Sequence, residues 1–191
     1  MVVTIIAINK FLFSAKGSDT VMKNLIFING TMGVGKTTTS IELNKLLPKS
    51  VFLDGDWCWY MNPFVVSEET KAMVITNITC MLNTFIRCSE FENIVFCWVM
   101  HQESILEDIT SKLKISDYHL YKFTLVCSQQ ALINRIKYDI DSNKREFDVI
   151  ERALARAECF SKMDTIHIDV TEISATQAAK EMLSIIGGQV D

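Results

Sequence analysis

The sequence contains little proline or glycine and no closely paired cysteines. Among its 191 residues are two prolines and seven glycines, which leaves little material for an interdomain linker or a second domain. None of the six cysteines lies in a C-x-x-C pair, so neither a zinc ribbon nor a redox pair is indicated. Free thiols of this kind are typical of a reducing compartment, and we therefore predict a cytoplasmic protein.

The chain also lacks an excess of positive charge and a long apolar run. It has 19 Lys and Arg residues against 23 Asp and Glu, a net charge of −4. This balance argues against nucleic acid as a partner, because neutralising phosphates needs an excess of cationic side chains. The composition does not exclude a local basic groove. No stretch of 18 apolar residues occurs, so no membrane partner is expected. The first 13 residues lack the charged start of a signal peptide.

Short apolar runs and helical patterns alternate along the chain. Strands are predicted at 24–29, 51–53, 94–100, 121–127 and 165–169, and helices at 37–47, 67–88, 102–113, 128–138, 146–160 and from 174 onward. This alternation predicts an α/β fold, a doubly wound five-stranded parallel sheet. Ligands of such sheets bind beyond the carboxyl ends of the strands. We predict one domain over residues 22–191, and an N-terminal extension over 1–21 that is either dispensable or an added packing segment.

A phosphate-binding motif follows the first predicted strand. The octapeptide Gly30-Thr31-Met32-Gly33-Val34-Gly35-Lys36-Thr37 fits G-x-x-x-x-G-K-[ST] at every fixed position. Its glycines let the backbone approach phosphate oxygens, and the amides of the following helix add donors. In this motif Lys36 reaches the β- and γ-phosphates, the Thr37 hydroxyl ligates Mg²⁺, and Thr38 is placed to donate to the α-phosphate. The expected cofactors are a nucleoside triphosphate and Mg²⁺, which makes the chain a P-loop protein.

Several P-loop classes are disfavoured by what is missing. A GTPase needs an N-K-x-D motif after a strand, and the stretch that begins at Asn143 ends in Glu instead. ATP is therefore the expected nucleotide. Motor and transporter ATPases usually end an apolar strand in a carboxylate that holds Mg²⁺, whereas the third strand here ends in Val99-Met100-His101.

Two carboxylates follow the second predicted strand, in Asp54-Gly55-Asp56. At the carboxyl edge of the sheet one Asp can assist Mg²⁺ and the other can accept a proton from an attacking hydroxyl. The alternative is an ordinary Asp-Gly turn. The P-loop favours the functional interpretation, because phosphoryl transfer requires both a held metal and an oriented nucleophile.

The P-loop, the segment from Leu53 to Asp56 and the alternating strands together resemble the small P-loop kinases over residues 22 to 188. This group includes the gluconate, shikimate, adenylylsulfate and nucleoside monophosphate kinases and chloramphenicol phosphotransferase. The resemblance implies that Asp54 is the metal-side residue and Asp56 the candidate base, although the two roles could be reversed. No complete substrate signature of any one member is present.

The resemblance also implies that arginines contact the phosphates. Arg135 ends a stretch similar to the helix whose arginine lies near adenine and phosphates. Residues 137–145 resemble a short lid that would carry Arg145 onto the nucleotide. Arg152 and Arg156 lie four residues apart and hence on one helix face. They either reach phosphate or substrate or are solvent-facing charges.

The acceptor side is less defined. An aromatic stretch from Trp57 to Phe64 follows the two carboxylates, and it forms either a wall for an aromatic acceptor or a small hydrophobic core. His101 either contacts the acceptor or makes a structural hydrogen bond. The sequence thus predicts a Mg²⁺-ATP-dependent kinase of a small molecule. The alternatives are an ATP-binding regulatory or resistance protein with little transfer activity and, less favoured by the charge, a polynucleotide-directed kinase.

Overall fold

The computed structural model describes residues 22–115, 117–142 and 149–187. Five strands form one sheet in the order β2-β3-β1-β4-β5, and every neighbouring pair is parallel. The strands are β1 (Lys23–Gly30), β2 (Ser50–Asp54), β3 (Asn93–Cys97), β4 (Tyr118–Val126) and β5 (Ile166–Asp169). The predicted five-stranded parallel α/β fold is confirmed.

Six α-helices among the described residues cover the sheet. They are α1 (Lys36–Leu46), α2 (Glu68–Arg87), α3 (Glu103–Ser111), α4 (Gln129–Asp141), α5 (Val149–Ser161) and α6 (Ala175–Gly187). The side chains of β1 alternate between two cores, as expected for a central strand buried on both faces. Ile26 and Ile28 pack with α1, α4 and α6, whereas Leu25 and Phe27 pack with α2 and α3. The fold therefore has three layers, helices on each face of the sheet, and β1 is the central strand of that sheet.

Strand order determines where the loop after β1 lies. The chain leaves β1 for β2 at one edge of the sheet, returns to β3, and then crosses to β4 on the other side of β1. The direction of winding thus reverses at β1, and the loop that follows this strand lies at the carboxyl-end crevice where open α/β sheets bind ligands.

Several local details differ from the expectations, among them the start of β4 at Tyr118 rather than at residue 121. Strand β3 ends at Cys97 rather than at residue 100. Helix α4 runs to Asp141, so residues 139–141 are helical and not loop, and the first part of the predicted lid belongs to this helix. Residues Gly55–Trp59 form a 3-10 helix, and Asp54 caps it by accepting a hydrogen bond from the amide of Asp56 at 3.0 Å.

Some expectations fall outside the described residues. The N-terminal extension over residues 1–21 does so, as do Arg145 and the rest of the predicted lid over 143–145, and the predicted start of the next helix over 146–148. The division into an extension and one domain therefore stays a prediction. Within the described part of the chain, no helix combines the length and apolar character needed to cross a membrane.

Candidate functional site

The loop between β1 and α1 has the backbone of an anion cradle. Gly33 and Gly35 have φ angles of 80° and 109°, in the region that only glycine enters at low cost. Gly35 is the N-cap residue that precedes α1, and no side chain caps this helix. The first amides of α1 therefore have no side-chain partner at the cap position. Since such amides and the helix dipole favour anions, the loop is suited to hold phosphate.

Besides its positive φ, close packing also disfavours any residue larger than glycine at position 33. A Cβ built on Gly33 would lie 2.5 Å from Cγ1 of Ile136 on α4, whereas one on Gly35 would meet nothing within 4 Å. Two other loop residues, Met32 and Val34, pack against the core beneath the sheet edge. The cradle is thus supported by α4 from one side and by the core from below.

The cradle is also attached to α5. Thr31, 4% exposed, donates from Oγ1 to the carbonyl oxygen of Ala153 at 2.8 Å. The Nζ of Lys36 donates to the backbone carbonyl of Thr31 at 3.0 Å, so the lysine side chain lies along the loop. The charged end of Lys36 is therefore held at the phosphate-binding loop.

The hydroxyl of Thr37 donates a hydrogen bond of 2.7 Å to Oδ2 of Asp54, which is 5% exposed. The other carboxylate oxygen of Asp54 accepts from the amide of Asp56. In the parallel register Asp54 is paired with Cys97. Burial and the negative charge of Asp54 raise the pKa of the Cys97 thiol to about 12. The carboxylate therefore has a neutral thiol beside it.

Arg135 closes the opposite side of the cradle. Its guanidinium donates to the backbone carbonyls of Val34 at 3.2 Å, of Thr171 at 3.5 Å, and of Val170. The loop after β5 is ordered by Asp169, which accepts from the amide and hydroxyl of Thr171 at 2.8 and 2.6 Å. These bonds lower the pKa of the Asp169 carboxyl. Arg135 thus joins the P-loop to the last β–α loop.

A cleft of about 520 Å³ lies between these elements. The cradle lines it with residues 33–35, 38 and 39, α4 contributes Asn134, Arg135, Tyr138 and Asp139, and the segment after β5 contributes Val170 and Ile173–Ala175. This volume is within the range of small-ligand and cofactor pockets. The cleft adjoins the cradle, because residues 33–35 belong to both.

On the other side of Asp54 lies the predicted acceptor region. The side chain of Asp56 is exposed at the surface of the 3-10 helix. Farther along the sheet edge, half-buried His101 follows β3, and burial, together with the positive charge of Arg156, lowers its pKa. Arg156 therefore lies on the side of α5 that approaches the end of β3.

The predicted site residues thus lie at one edge of the sheet: the loop over 30–37, Thr38, Asp54, Asp56 and Arg135. Arg152 is exposed on α5. Three residues that support the site were not predicted from the sequence. Asn29 and Cys97 are buried in strands beside the site, and Ala153 acts through its backbone carbonyl. An asparagine within a buried apolar run was a usable signal, whereas the pairing of Cys97 with Asp54 depends on strand register.

Fold and site together define a P-loop protein of the small-kinase architecture. A family model described as the AAA domain matches residues 26–156, and the chain belongs to that family. The matched stretch extends from β1 to α5 and includes the cradle, both carboxylates and Arg135. No curated protein matches the sequence significantly.

Solved structures of similar fold include small kinases and a resistance protein. The tunicamycin resistance protein of Deinococcus radiodurans is 20% identical, with a TM-score of 0.64 over 86% of this chain and 96% of its own. Shikimate kinase from Acinetobacter baumannii is 17% identical, with a TM-score of 0.62 over 90% and 97%. The APS kinase of Mycobacterium tuberculosis, in complex with AMPPNP and APS, is 10% identical, with a TM-score of 0.61 over 87% and 98%. The resemblance to small P-loop kinases is confirmed at the level of fold.

Proposed function

We propose that this protein is a Mg²⁺-ATP-dependent phosphotransferase that moves the γ-phosphate to a hydroxyl group of a small molecule. The observation that carries the proposal is the 2.7 Å contact between Thr37 Oγ1 and Asp54 Oδ2 at the start of α1. It joins the hydroxyl of the phosphate loop to the first of two carboxylates, and the second, Asp56, is exposed beside it. Together with Lys36 and the loop amides, these groups can hold a metal-bound triphosphate and orient an attacking hydroxyl.

The nucleotide is proposed to occupy the cradle and the adjoining cleft. The triphosphate would lie on the amides of the loop, with Lys36 near the β- and γ-phosphates. The base and ribose would extend between α4 and the segment after β5, where Arg135 already joins the two walls. The triphosphate analogue AMPPNP in the APS kinase of similar fold supports a triphosphate ligand.

The donor atoms present fit Mg²⁺. This ion prefers oxygen ligands, retains several waters and is usually held by one or two protein oxygens together with phosphate. Thr37 Oγ1 and Asp54 Oδ2 supply such oxygens at one point. When bound, Mg²⁺ would neutralise charge on the transferring phosphate. Among the described residues no cluster of three His, Cys, Asp or Glu side chains forms a separate metal cage.

Asp56 is proposed to orient and deprotonate the acceptor. The acceptor oxygen would form a bond to the γ-phosphorus while the bond from that phosphorus to the bridging oxygen of ADP breaks, and the hydroxyl proton would pass to the Asp56 carboxylate. Asp54 is 5% exposed and its carboxylate lies against Thr37, on the metal side of the site, whereas Asp56 is exposed to solvent, where an acceptor can approach it. A cytoplasmic location, where ATP is plentiful and thiols stay reduced, belongs to the same proposal.

The test is acceptor-stimulated release of ADP from Mg²⁺-ATP, measured with pooled sugars, sugar acids, nucleosides, nucleotides and aromatic alcohols. Asp56→Asn should lower the stimulated rate by about 10²- to 10⁴-fold, the usual contribution of a general base, with nucleotide affinity nearly unchanged. Lys36→Ala should weaken binding of the triphosphate itself. The matched control is Asp117→Asn. Asp117 is an exposed aspartate just before β4, at the amino ends of the strands and thus away from the proposed site.

Two results would contradict the proposal. One is tight ATP binding with no acceptor-stimulated turnover in any pool, which would favour an ATP-binding regulatory or resistance protein. The other is near-normal turnover by Lys36→Ala. If Asp54→Asn abolishes transfer while nucleotide binding persists and Asp56→Asn is mild, the two carboxylates exchange their proposed roles and the phosphotransferase assignment stands.

A further inference from the structure

Three aromatic side chains form a continuous cluster that begins beside the two carboxylates; we call Trp59, Phe64 and Trp98 the aromatic cluster. The indole of Trp98 packs directly on Gly55, since a Cβ at Gly55 would lie 2.5 Å from Trp98 Cγ. Ring centroids of Trp98 and Trp59 are 6.1 Å apart, and those of Trp59 and Phe64 are 5.8 Å apart. The cluster therefore extends from the backbone between Asp54 and Asp56 toward the surface.

The outer part of the aromatic cluster is accessible. Trp98 is 9% exposed, whereas Phe64 is 66% exposed and Trp59 is intermediate. Trp57 belongs elsewhere, because it packs against Phe52 with a centroid distance of 5.3 Å. A large, solvent-facing aromatic ring that continues a buried aromatic cluster is costly to leave in water and typical of a binding surface.

The aromatic cluster also contains an unused polar group. Trp59 Nε1 is buried and has no hydrogen-bond partner among the described residues, and the same is true of Nδ1 of His101 beyond β3. A buried indole N–H normally has a partner, and its loss costs free energy. Because this atom has almost no accessible surface, a ligand can reach it only if a neighbouring side chain moves.

Charge around the aromatic cluster selects against anions. Residues 50–70 contain no Lys or Arg, and Asp54 and Asp56 lie where the cluster begins; Glu68, farther along, is paired with Lys71 at 2.8 Å. On the opposite side of the site, the positive charge of Arg156 on α5 acts on His101. A sugar acid or a nucleoside monophosphate that lay on the cluster and reached Asp56 would place its negative charge near the carboxylates of Asp54 and Asp56.

We infer that the acceptor is an uncharged hydroxyl compound with an aromatic ring. Its ring packs on Trp59 and Phe64, and its hydroxyl reaches Asp56. The inference rests on the proposed function for the identity of the reacting group, but the binding preference it states is measurable without turnover.

The experiment uses two matched pairs of probes on the full chain with Mg²⁺ and AMPPNP, followed by ligand-observed NMR titration. 3-Phenylpropane-1,2-diol against propane-1,2-diol tests the aromatic ring, and thymidine against thymidine 5′-monophosphate tests the charge. We expect the ring to improve the dissociation constant by about tenfold or more, as burial of an aromatic side chain does. The uncharged nucleoside should bind more tightly than its monophosphate.

Variants locate the binding on the aromatic cluster. Trp59→Leu should remove the advantage of the phenyl compound, whereas Trp59→Phe, which keeps a ring and loses the N–H, should retain most of it. Phe91→Leu, which alters the Phe85–Phe91 aromatic pair, is the matched control and should change nothing. Equal binding of the two diols, tighter binding of the monophosphate, or an advantage that survives Trp59→Leu would each overturn the inference.

The failure of this inference is separable from that of the proposed function. Acceptor-stimulated ADP release with a sugar acid or nucleotide as the best substrate would leave the phosphotransferase standing and remove the aromatic preference. Selective binding of the phenyl compound without ADP release in any pool would do the reverse.

Discussion

The side chain of Asn29 bonds both backbone polar atoms of Met100. Its Oδ1 accepts from the amide of Met100 at 2.8 Å, and its Nδ2 donates to the carbonyl at 2.7 Å. Asn29 is 1% exposed and is the penultimate residue of β1. These bonds take the place of the β1–β3 ladder, which ends at Cys97, and they hold the chain just before His101.

Asn29→Ala should therefore destabilise the fold and disturb the acceptor side at once. Removing the amide leaves two buried backbone groups without partners, which costs about 1–3 kcal/mol each. We expect a loss of about 2–4 kcal/mol in the free energy of unfolding, measured by urea denaturation. Asn77→Ala, at an exposed position of α2, should change it little. A loss under about 0.5 kcal/mol for Asn29→Ala would show that these bonds do not support the fold.

Gly33→Ala and Gly35→Ala form a second matched pair. Both positions have positive φ, so both substitutions strain the backbone, but only Gly33 faces Ile136, at 2.5 Å from the added Cβ. Gly33→Ala should be more destabilising by about 1–3 kcal/mol, the usual cost of overpacking. A double-mutant cycle with Ile136→Ala isolates the contact, because the extra cost should shrink in the smaller background. If the two glycine variants are equally stable by thermal denaturation, α4 does not restrict the cradle.

Cysteine labelling tests the environment of Asp54. The pKa of Cys97 is raised to about 12, so at pH 8 only about one thiol in ten thousand is the reactive thiolate. Cys80 and Cys159 are exposed and should react quickly with iodoacetamide, whereas Cys97 should be labelled only after denaturation. Mass spectrometry of peptides after timed quenching gives the order. Rapid labelling of Cys97 in the folded protein would mean that the β2–β3 edge beside Asp54 is open.

The elements that sequence patterns predicted most accurately are those with strong local signals. The helix predicted from residue 174 onward begins with a capping box, the pattern S-x-x-Q: Gln177 Oε1 accepts from the amide of Ser174 at 2.8 Å, and Ser174 Oγ accepts from the amide of Gln177 at 3.2 Å. The predicted helix after Ser67 likewise begins where that residue caps it. Such signals lie within a few residues of one another and need no knowledge of the fold.

The misjudged boundaries depend on contacts between distant residues. The apolar run through residue 100 has the pattern of one strand. In the structure, however, the side chain of Asn29, 71 positions away, forms hydrogen bonds with the backbone amide and carbonyl of Met100. Helix α4 continues to Asp141 through polar residues because Ile140 is buried in the core. Similarly, the contact of Trp98 with Gly55 and the pairing of Cys97 with Asp54 follow from strand order and register. Local patterns do not contain that information.

His101 should make the stability of the protein depend on pH. Burial, and secondly the positive charge of Arg156, lower its pKa from the ordinary value of 6.5. The unfolded chain therefore binds a proton more readily than the folded one, so the contribution of His101 to stability is present above pH 6.5 and is lost as the pH falls through that value toward the lower folded-state pKa. The urea midpoint should decrease between about pH 7.5 and pH 5.

Substitutions assign this decrease to His101. His101→Gln removes the titrating group and should flatten the profile, and Arg156→Gln should flatten it in part, because the repulsive charge is gone but burial remains. His119→Gln, at an exposed position of β4, serves as the control and should leave the slope as in the unaltered protein. A slope that persists unchanged in His101→Gln would place the titrating group elsewhere. A slope that steepens in Arg156→Gln would show that Arg156 does not disfavour the protonated form of His101.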